Sequence, residues 1–251
     1  MAALQKFRGF SSKLWGNSEQ EENNTLTMFD VFHGRMREKI VLQRLIVIAR
    51  LPHHLADRTE LGAHYEKLNF QLSKQYIWDH MTGLLLIYPS CLLHIIESSR
   101  EVLVSVLKDL EDMQQQPDWT VLEAPKVVFM AHNPQSRLFQ QWSYKVLDVE
   151  QGERDIRAKR LEEEEESTET LVCTVLSELQ NLGEHLKISK ALPGSVLDEI
   201  PELIVSQEVV HKLLARDELQ TPQQHLKMYN SPLNISMDFG QVIRSSFLTT
   251  V

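Results

Sequence analysis

Apolar and polar positions along the chain switch between two periods, and the switches mark its elements. Leu45-Ile46-Val47-Ile48-Ala49 is a continuous run rich in β-branched residues, closed by Leu51-Pro52, and it predicts a buried strand. Leu61, Tyr65, Leu68, Leu72 and Tyr76 then recur every three or four residues, which places them on one face of a helix beginning near Asp57 or Thr59. Met81 to Tyr88 and Cys91 to Ile96 are two apolar strands split by the turn-compatible pair Pro89-Ser90. Ser98-Ser99-Arg100-Glu101 fits a capping box ahead of a helix that buries Val102, Leu103, Val106, Leu107 and Leu110. Lys126 to Met130 and Ser143 to Val149 complete the series as two further strands. The order βαββαββ predicts an α+β fold, a ferredoxin-like sandwich in which two helices cover one face of a mixed sheet.

The flanking segments have other textures. Residues 1–38 are polar, with few apolar residues in register, and read as a flexible or partner-ordered arm ahead of a domain spanning 39–150. In 151–190 a charged stretch comes first, pairing Lys159 with Glu163 and Arg160 with Glu164 at helical neighbour spacing. It runs into an amphipathic helix whose stripe Leu171, Val175, Leu179, Leu182 and Leu186 must pack on the domain or on a partner. Residues 191–251 read as short helices and an extended tail, with a helix start at Thr221-Pro222 and extended chain over Tyr229 to Asn234.

Composition narrows the function classes. The 251 residues contain no unbroken apolar run of the ~18 residues that a membrane span needs, so a soluble protein is expected. A formal net charge of -9 argues against nucleic acid and anionic membrane as partners. Cys91 and Cys173 are the only cysteines and lie far apart, which fits a reducing compartment and gives neither the setting of a nucleophile. Lys6, Arg8 and Lys13 with no acid before Glu19 faintly resemble a mitochondrial presequence, and a solvated basic tail has the same pattern. Phosphate-cradling, nucleophile-elbow and paired metal-ligand spacings are missing, so no catalytic or metal-binding residue is assigned. A lone histidine in an apolar strand, such as His94, reads first as a hydrogen-bonded core residue.

Thr82-Gly83, the apolar strand pair, Glu97 and Arg137-x-Phe139-x-x-Trp142-Ser143 together resemble the BLUF family of flavin-binding blue-light sensors, over roughly residues 42 to 149. The resemblance implies a fold kept without its chemistry. Where the family has a tyrosine and a serine on the first strand, this chain has Val47 and Ala49. The glutamine that switches hydrogen bonds to the flavin is His94, the glycine after the glutamate is Ser98, and the methionine after Trp-Ser is Tyr144. The family's flavin-binding asparagine has no match in Ser73 to Ile77, and Asn69 is the nearest one. What is retained, Thr82, Gly83 and Trp142 among them, belongs to packing and turns, so no cofactor is expected.

A polar arm, a degenerate BLUF-like domain, a Glu-rich helix and a Leu-Pro-Glu-containing tail in that order also resemble a family of testis-expressed proteins associated with male germ cells. That implies a non-enzymatic structural or adaptor protein of the sperm flagellar axoneme, cytoskeletal within the cytoplasm, whose partners are other axonemal proteins. The alternative is a flavin- or nucleotide-binding sensor that uses a remodelled pocket.

Overall fold

The computed structural model describes residues 41–230 apart from 54, 56, 78, 116–120 and 149–165. The arm at 1–38, the charged stretch up to 165 and the tail from 231 lie outside the described residues.

Five strands form one sheet: β1 (Gln43–Arg50), β2 (Thr82–Ile87), β3 (Cys91–Ser98), β4 (Glu123–His132) and β5 (Trp142–Val146), in the order β4-β1-β3-β2-β5. β1 runs antiparallel to both β3 and β4, β2 antiparallel to β3, and β5 parallel to β2. The first four strands in this order, with helices α1 (Thr59–Gln75) and α2 (Arg100–Gln115) between them, make the ferredoxin-like arrangement, and β5 extends it beyond β2. α1 starts where its signal predicts, with the Asp57 carboxylate accepting from the Thr59 N–H and hydroxyl. α2 departs from the expected box at its first member. The Ser98 hydroxyl donates to Asp79, whose other oxygen accepts from the Ser99 N–H.

The expected ferredoxin-like sandwich, with two helices on one face of the sheet, is present, and the C-terminal helices add a third layer. Helices α3 (Thr168–Ser189), α4 (Pro193–Glu199) and α5 (Gln207–Leu214) cover the sheet face opposite α1 and α2. On that second face Ile46, Ile48, Leu84, Leu86, Leu93 and Ile95 meet Leu171, Val175, Leu179, Leu182, Val210 and Leu213. On the first face Leu45, Val47, Ala49, Leu85, Ile87, Leu92 and Ile96 meet residues of α1 and α2. Because strand side chains alternate between faces, a strand covered on both sides reads as a continuous apolar run. The unbroken runs in β1, β2 and β3 therefore carried the third layer in their pattern.

Leu171, Val175, Leu179 and Leu182 are all buried on this second face, and Leu186 packs half-buried beside them. Burying each such side chain stabilises by roughly 1.5–3 kcal/mol, so the stripe is a major contribution to the core. Ser167 caps α3 by accepting from the Thr170 N–H, and Lys190 ends it in the left-handed conformation. The linker after α4 is fastened by the Tyr88 hydroxyl, which donates to the Val205 carbonyl at 2.6 Å.

The chain then turns round the β4 edge. Gln220 bridges Val127, and α6 (Pro222–Asn230) places Leu226 in the first-face core beside α2. Tyr229 and Asn230, expected to be extended, are the last residues of this helix, since the Thr221-Pro222 start carries through with the Thr221 hydroxyl accepting from the Gln224 N–H. Among the described residues no helix is long and apolar enough to cross a membrane.

Candidate functional site

On the first face, the middle of β3 brings the positions singled out by the sequence to one spot. Val47 of β1 stands opposite His94, Ala49 stands opposite Leu92 two residues along, and Leu85 of β2 flanks His94 on its other side. Val47, Ala49 and His94 are each 0% exposed.

The Trp142 Nε1–H donates to His94 Nε2 at 3.0 Å. An Nε2 that accepts must be unprotonated, so the ring is the neutral tautomer with its proton on Nδ1. The Tyr65 ring from α1 lies edge-on to the imidazole at 4.6 Å between centroids, and Trp142 does so at 6.0 Å. Burial pulls the His94 pKa down to about 3, because charging an imidazole out of water is unfavourable. Burial, followed by the Asp109 carboxylate, raises the Tyr65 phenol well above its ordinary value. Across the outer side of the two helices, the His64 Nε2–H is held by both Asp109 oxygens, at 2.9 and 3.0 Å. Tyr65 of α1, His94 of β3 and Trp142 of β5 are thus linked by ring contacts on this face. Among the described residues, His94 Nδ1 and Tyr65 Oη have no hydrogen-bond partner, and each such buried group costs about 1–3 kcal/mol.

The retained residues form a second, connected cluster at the start of β2. The Glu97 carboxylate is wholly buried, and it accepts from Arg44 Nε at 2.8 Å, Thr82 Oγ1 at 3.2 Å and the N–H groups of Leu138 and Phe139 at 2.9 and 3.1 Å. Arg137 Nη1 donates to Thr82 Oγ1 and to the Glu97 carbonyl. These bonds pin the segment that carries the chain from β4, at one edge of the sheet, to β5 at the other. A buried carboxylate tolerates this position because charged and backbone donors satisfy its oxygens. Gly83 is required by shape, since its φ is +150° and a Cβ there would lie 2.0 Å from the Ile95 carbonyl oxygen. Tyr144, standing where the BLUF family has methionine, lies so close to α1 that a Cβ on Gly62 would come within 2.3 Å of its ring.

Asp79 and Arg44 belong to this cluster and were not singled out from the sequence. The register gives the signal for Arg44, which stands directly opposite Glu97 in the β1–β3 ladder. Asn69 and Ser73 lie apart from His94, along an open groove of about 560 Å³ between α1 and the segment entering β5, with Trp142 on its far wall. Leu171, Val175, Leu179, Leu182 and Leu186 are on the opposite sheet face. Cys91 is buried, and burial pushes its thiol up to about 12, while Cys173 is exposed on α3. Among the described residues, no group of three or more histidine, cysteine or acidic side chains could hold a metal ion.

The likeness to solved structures is low in identity and partial in extent. The BlrP1 BLUF domain is 18% identical over 43% of this chain and 66% of that chain, with a TM-score of 0.34. The BLUF protein BlrB in its dark state is 18% identical over 43% of this chain and 72% of that one, at 0.32. A bacterial light-regulated adenylyl cyclase is 18% identical over 65% of this chain and 40% of that one, at 0.34. The match spans only 25% of Klebsiella pneumoniae BlrP1 in its calcium and cyclic-diGMP complex. The ferredoxin-like topology stands on the strand order itself. A family profile described as testis-expressed protein 47 matches residues 41–231, which takes in every described element, and the chain belongs to that family.

Proposed function

We propose that this chain is a non-enzymatic structural or adaptor protein, an accessory component of the sperm flagellar axoneme that acts through protein–protein contacts. The observation that carries the reading is the state of His94. At the position of the BLUF family's switching glutamine stands a wholly buried imidazole whose Nε2 is committed to Trp142 and whose pKa near 3 keeps it neutral. Val47 and Ala49 beside it offer no hydrogen bond to a ring edge. Such a site packs and positions, and it does not exchange protons near neutral pH. Membership of a testis-expressed family supports the cellular setting.

Immunolocalisation with stepwise detergent and salt extraction of sperm tails tests the reading. Retention on the axoneme through detergent and release by high salt is the expected result. A freely soluble pool, or a mitochondrial matrix form lacking its first residues, would end it. One observation favours the second reading, a flavin or nucleotide sensor with a remodelled pocket. Among the described residues, Tyr65 Oη and His94 Nδ1 are buried polar atoms without hydrogen-bond partners, the kind of group that a heterocycle edge satisfies. That reading requires purified protein to carry the ligand in stoichiometric amount.

A further inference from the structure

The two edges of the sheet are treated differently. At the β4 edge the chain covers itself, with the Val127 N–H donating to the Gln220 carbonyl at 2.8 Å. At the β5 edge, the Gln141 carbonyl accepts from the Gly83 N–H and the Leu147 N–H donates to the Ile87 carbonyl. The N–H and C=O of one strand residue point to the same side, and successive residues alternate. Gln141, Ser143, Lys145 and Leu147 therefore turn their backbone toward β2, and Trp142, Tyr144 and Val146 turn theirs outward. Among the described residues, no backbone hydrogen bond reaches these outward groups, and β5 ends the sheet.

Exposed edges are ordinarily guarded by proline, a bulge or an outward charge. β5, Trp-Ser-Tyr-Lys-Val, has no proline and pairs with β2 without a register shift. Its one charge is drawn away, since Lys145 Nζ donates to Asp198 and to the Gly194 carbonyl. Beside the first residue of this strand lies the groove formed by Glu66, Asn69, Phe70, Met81, Gln141 and Trp142, with Phe70 61% exposed. Among the described residues, Glu66 and His80 are the ionisable side chains that line it, and the Lys74 ammonium stands over the Phe70 ring at 4.1 Å.

We infer that β5 is a docking edge for an extended segment of another protein, which adds to the sheet as a sixth strand. The segment sets an aliphatic or aromatic side chain against Phe70, Met81 and Trp142 and a lysine or arginine toward Glu66. The open N–H and C=O pattern supplies the strand pairing, the groove supplies the side-chain pocket, and the Glu66 carboxylate sets the charge of the ligand. A second copy of this chain fits less well, because two five-residue edges fall short of the roughly 1,200 Å² at the lower end of stable interfaces. The inference rests on the protein-contact reading above and names the surface that makes the contact.

The test takes the full chain and selects phage-displayed random peptides against it, each long enough to pair along the whole five-residue edge. Val146→Pro deletes an N–H that faces away from β2, so the β2–β5 ladder is kept while strand addition is blocked. Val146→Ala controls for the side chain. The expected result is that selected peptides protect the amides of Trp142, Tyr144 and Val146 from hydrogen exchange, and that Val146→Pro weakens them by about tenfold or more while Val146→Ala does not. Should the proline variant misfold, the amide protection in the wild-type chain decides alone. Failure to enrich any peptide, or enrichment without protection of those amides, overturns the inference. So does a stable dimer that Val146→Pro converts to monomer, which would make a second copy the occupant. A chain held on the axoneme with an inert β5 edge loses this inference alone, whereas a peptide-binding edge on a freely soluble chain loses the axonemal reading alone.

Discussion

The two faces of the sheet were built to different specifications. The face under α1 and α2 carries a linked row of rings, Tyr65 against His94 and His94 against Trp142, with Tyr65 Oη and His94 Nδ1 lacking hydrogen-bond partners among the described residues. The face under α3, α4 and α5 is largely aliphatic, with the Tyr88 hydroxyl bonded to Val205 and with Gln207 Oε1 buried without a hydrogen-bond partner among the described residues. Polar ring groups sit at the centre of the first face, where burying them costs stability unless they are hydrogen-bonded, and aliphatic contact dominates the second. The contrast places the ring cluster on the first face and makes the second face a matter of aliphatic packing and stability.

The largest expected effect comes from removing the second layer. A chain ending at residue 148 would expose Ile46, Ile48, Leu84, Leu86, Leu93 and Ile95 together, and it should aggregate or lose its cooperative thermal transition, as seen by circular dichroism and size-exclusion chromatography. A compact, monomeric truncation would show that the C-terminal helices only decorate the fold. Within that layer, Leu179→Asp places a charge at a position 1% exposed and should cost about 3–5 kcal/mol in urea unfolding. The same change at half-buried Leu186 should cost markedly less, and equal losses would mean that the stripe faces elsewhere.

The first face is sharpened by two smaller changes. Glu97→Gln leaves Arg44 without its carboxylate partner, and the loss should be about 2–4 kcal/mol, below that of Leu179→Asp because the amide oxygen still accepts from the backbone. His94 gives a pH signature. Its folded pKa, near 3, lies below the unfolded value of 6.5, so in acid the unfolded chain binds a proton that the folded chain refuses. The contribution of neutral His94 to stability is thus complete above pH 6.5 and is lost as pH falls toward 3, by about 1.4 kcal/mol per pH unit. His94→Gln, which keeps an acceptor for Trp142 and does not titrate, should flatten that part of the profile. An unchanged acid slope would mean that His94 is not the neutral, buried group described.

Local pattern made much of this legible. The strand runs, the faces of α1 and α2, and the Leu171-to-Leu186 stripe all follow from period and burial. Pairing across the chain was less accessible. Arg44, Glu97 and Arg137 meet only once the register of β1 on β3 and the path of the segment after β4 are fixed, and neither leaves a periodic trace. Asp79 escaped notice because a single acid in a loop before a strand looks solvated, yet it organises the start of α2. The strand edges also moved. β4 extends from Glu123 to His132 through two register shifts against β1, and β5 stops at Val146, because bulges and sheet ends depend on neighbours rather than on propensity. The His94–Trp142 bond joins residues of β3 and β5 with β2 between them, a contact that no spacing rule reports.

The most direct measurement of whether the first face binds a flavin is the visible absorption spectrum of the purified full-length chain, taken in the dark and again under blue light. With Val47, Ala49 and a Trp142-bound His94 at the positions that would face the ring, the spectrum should show no flavin band and no light-dependent change. A stoichiometric flavin band that shifts on illumination would contradict this and make the chain a sensor.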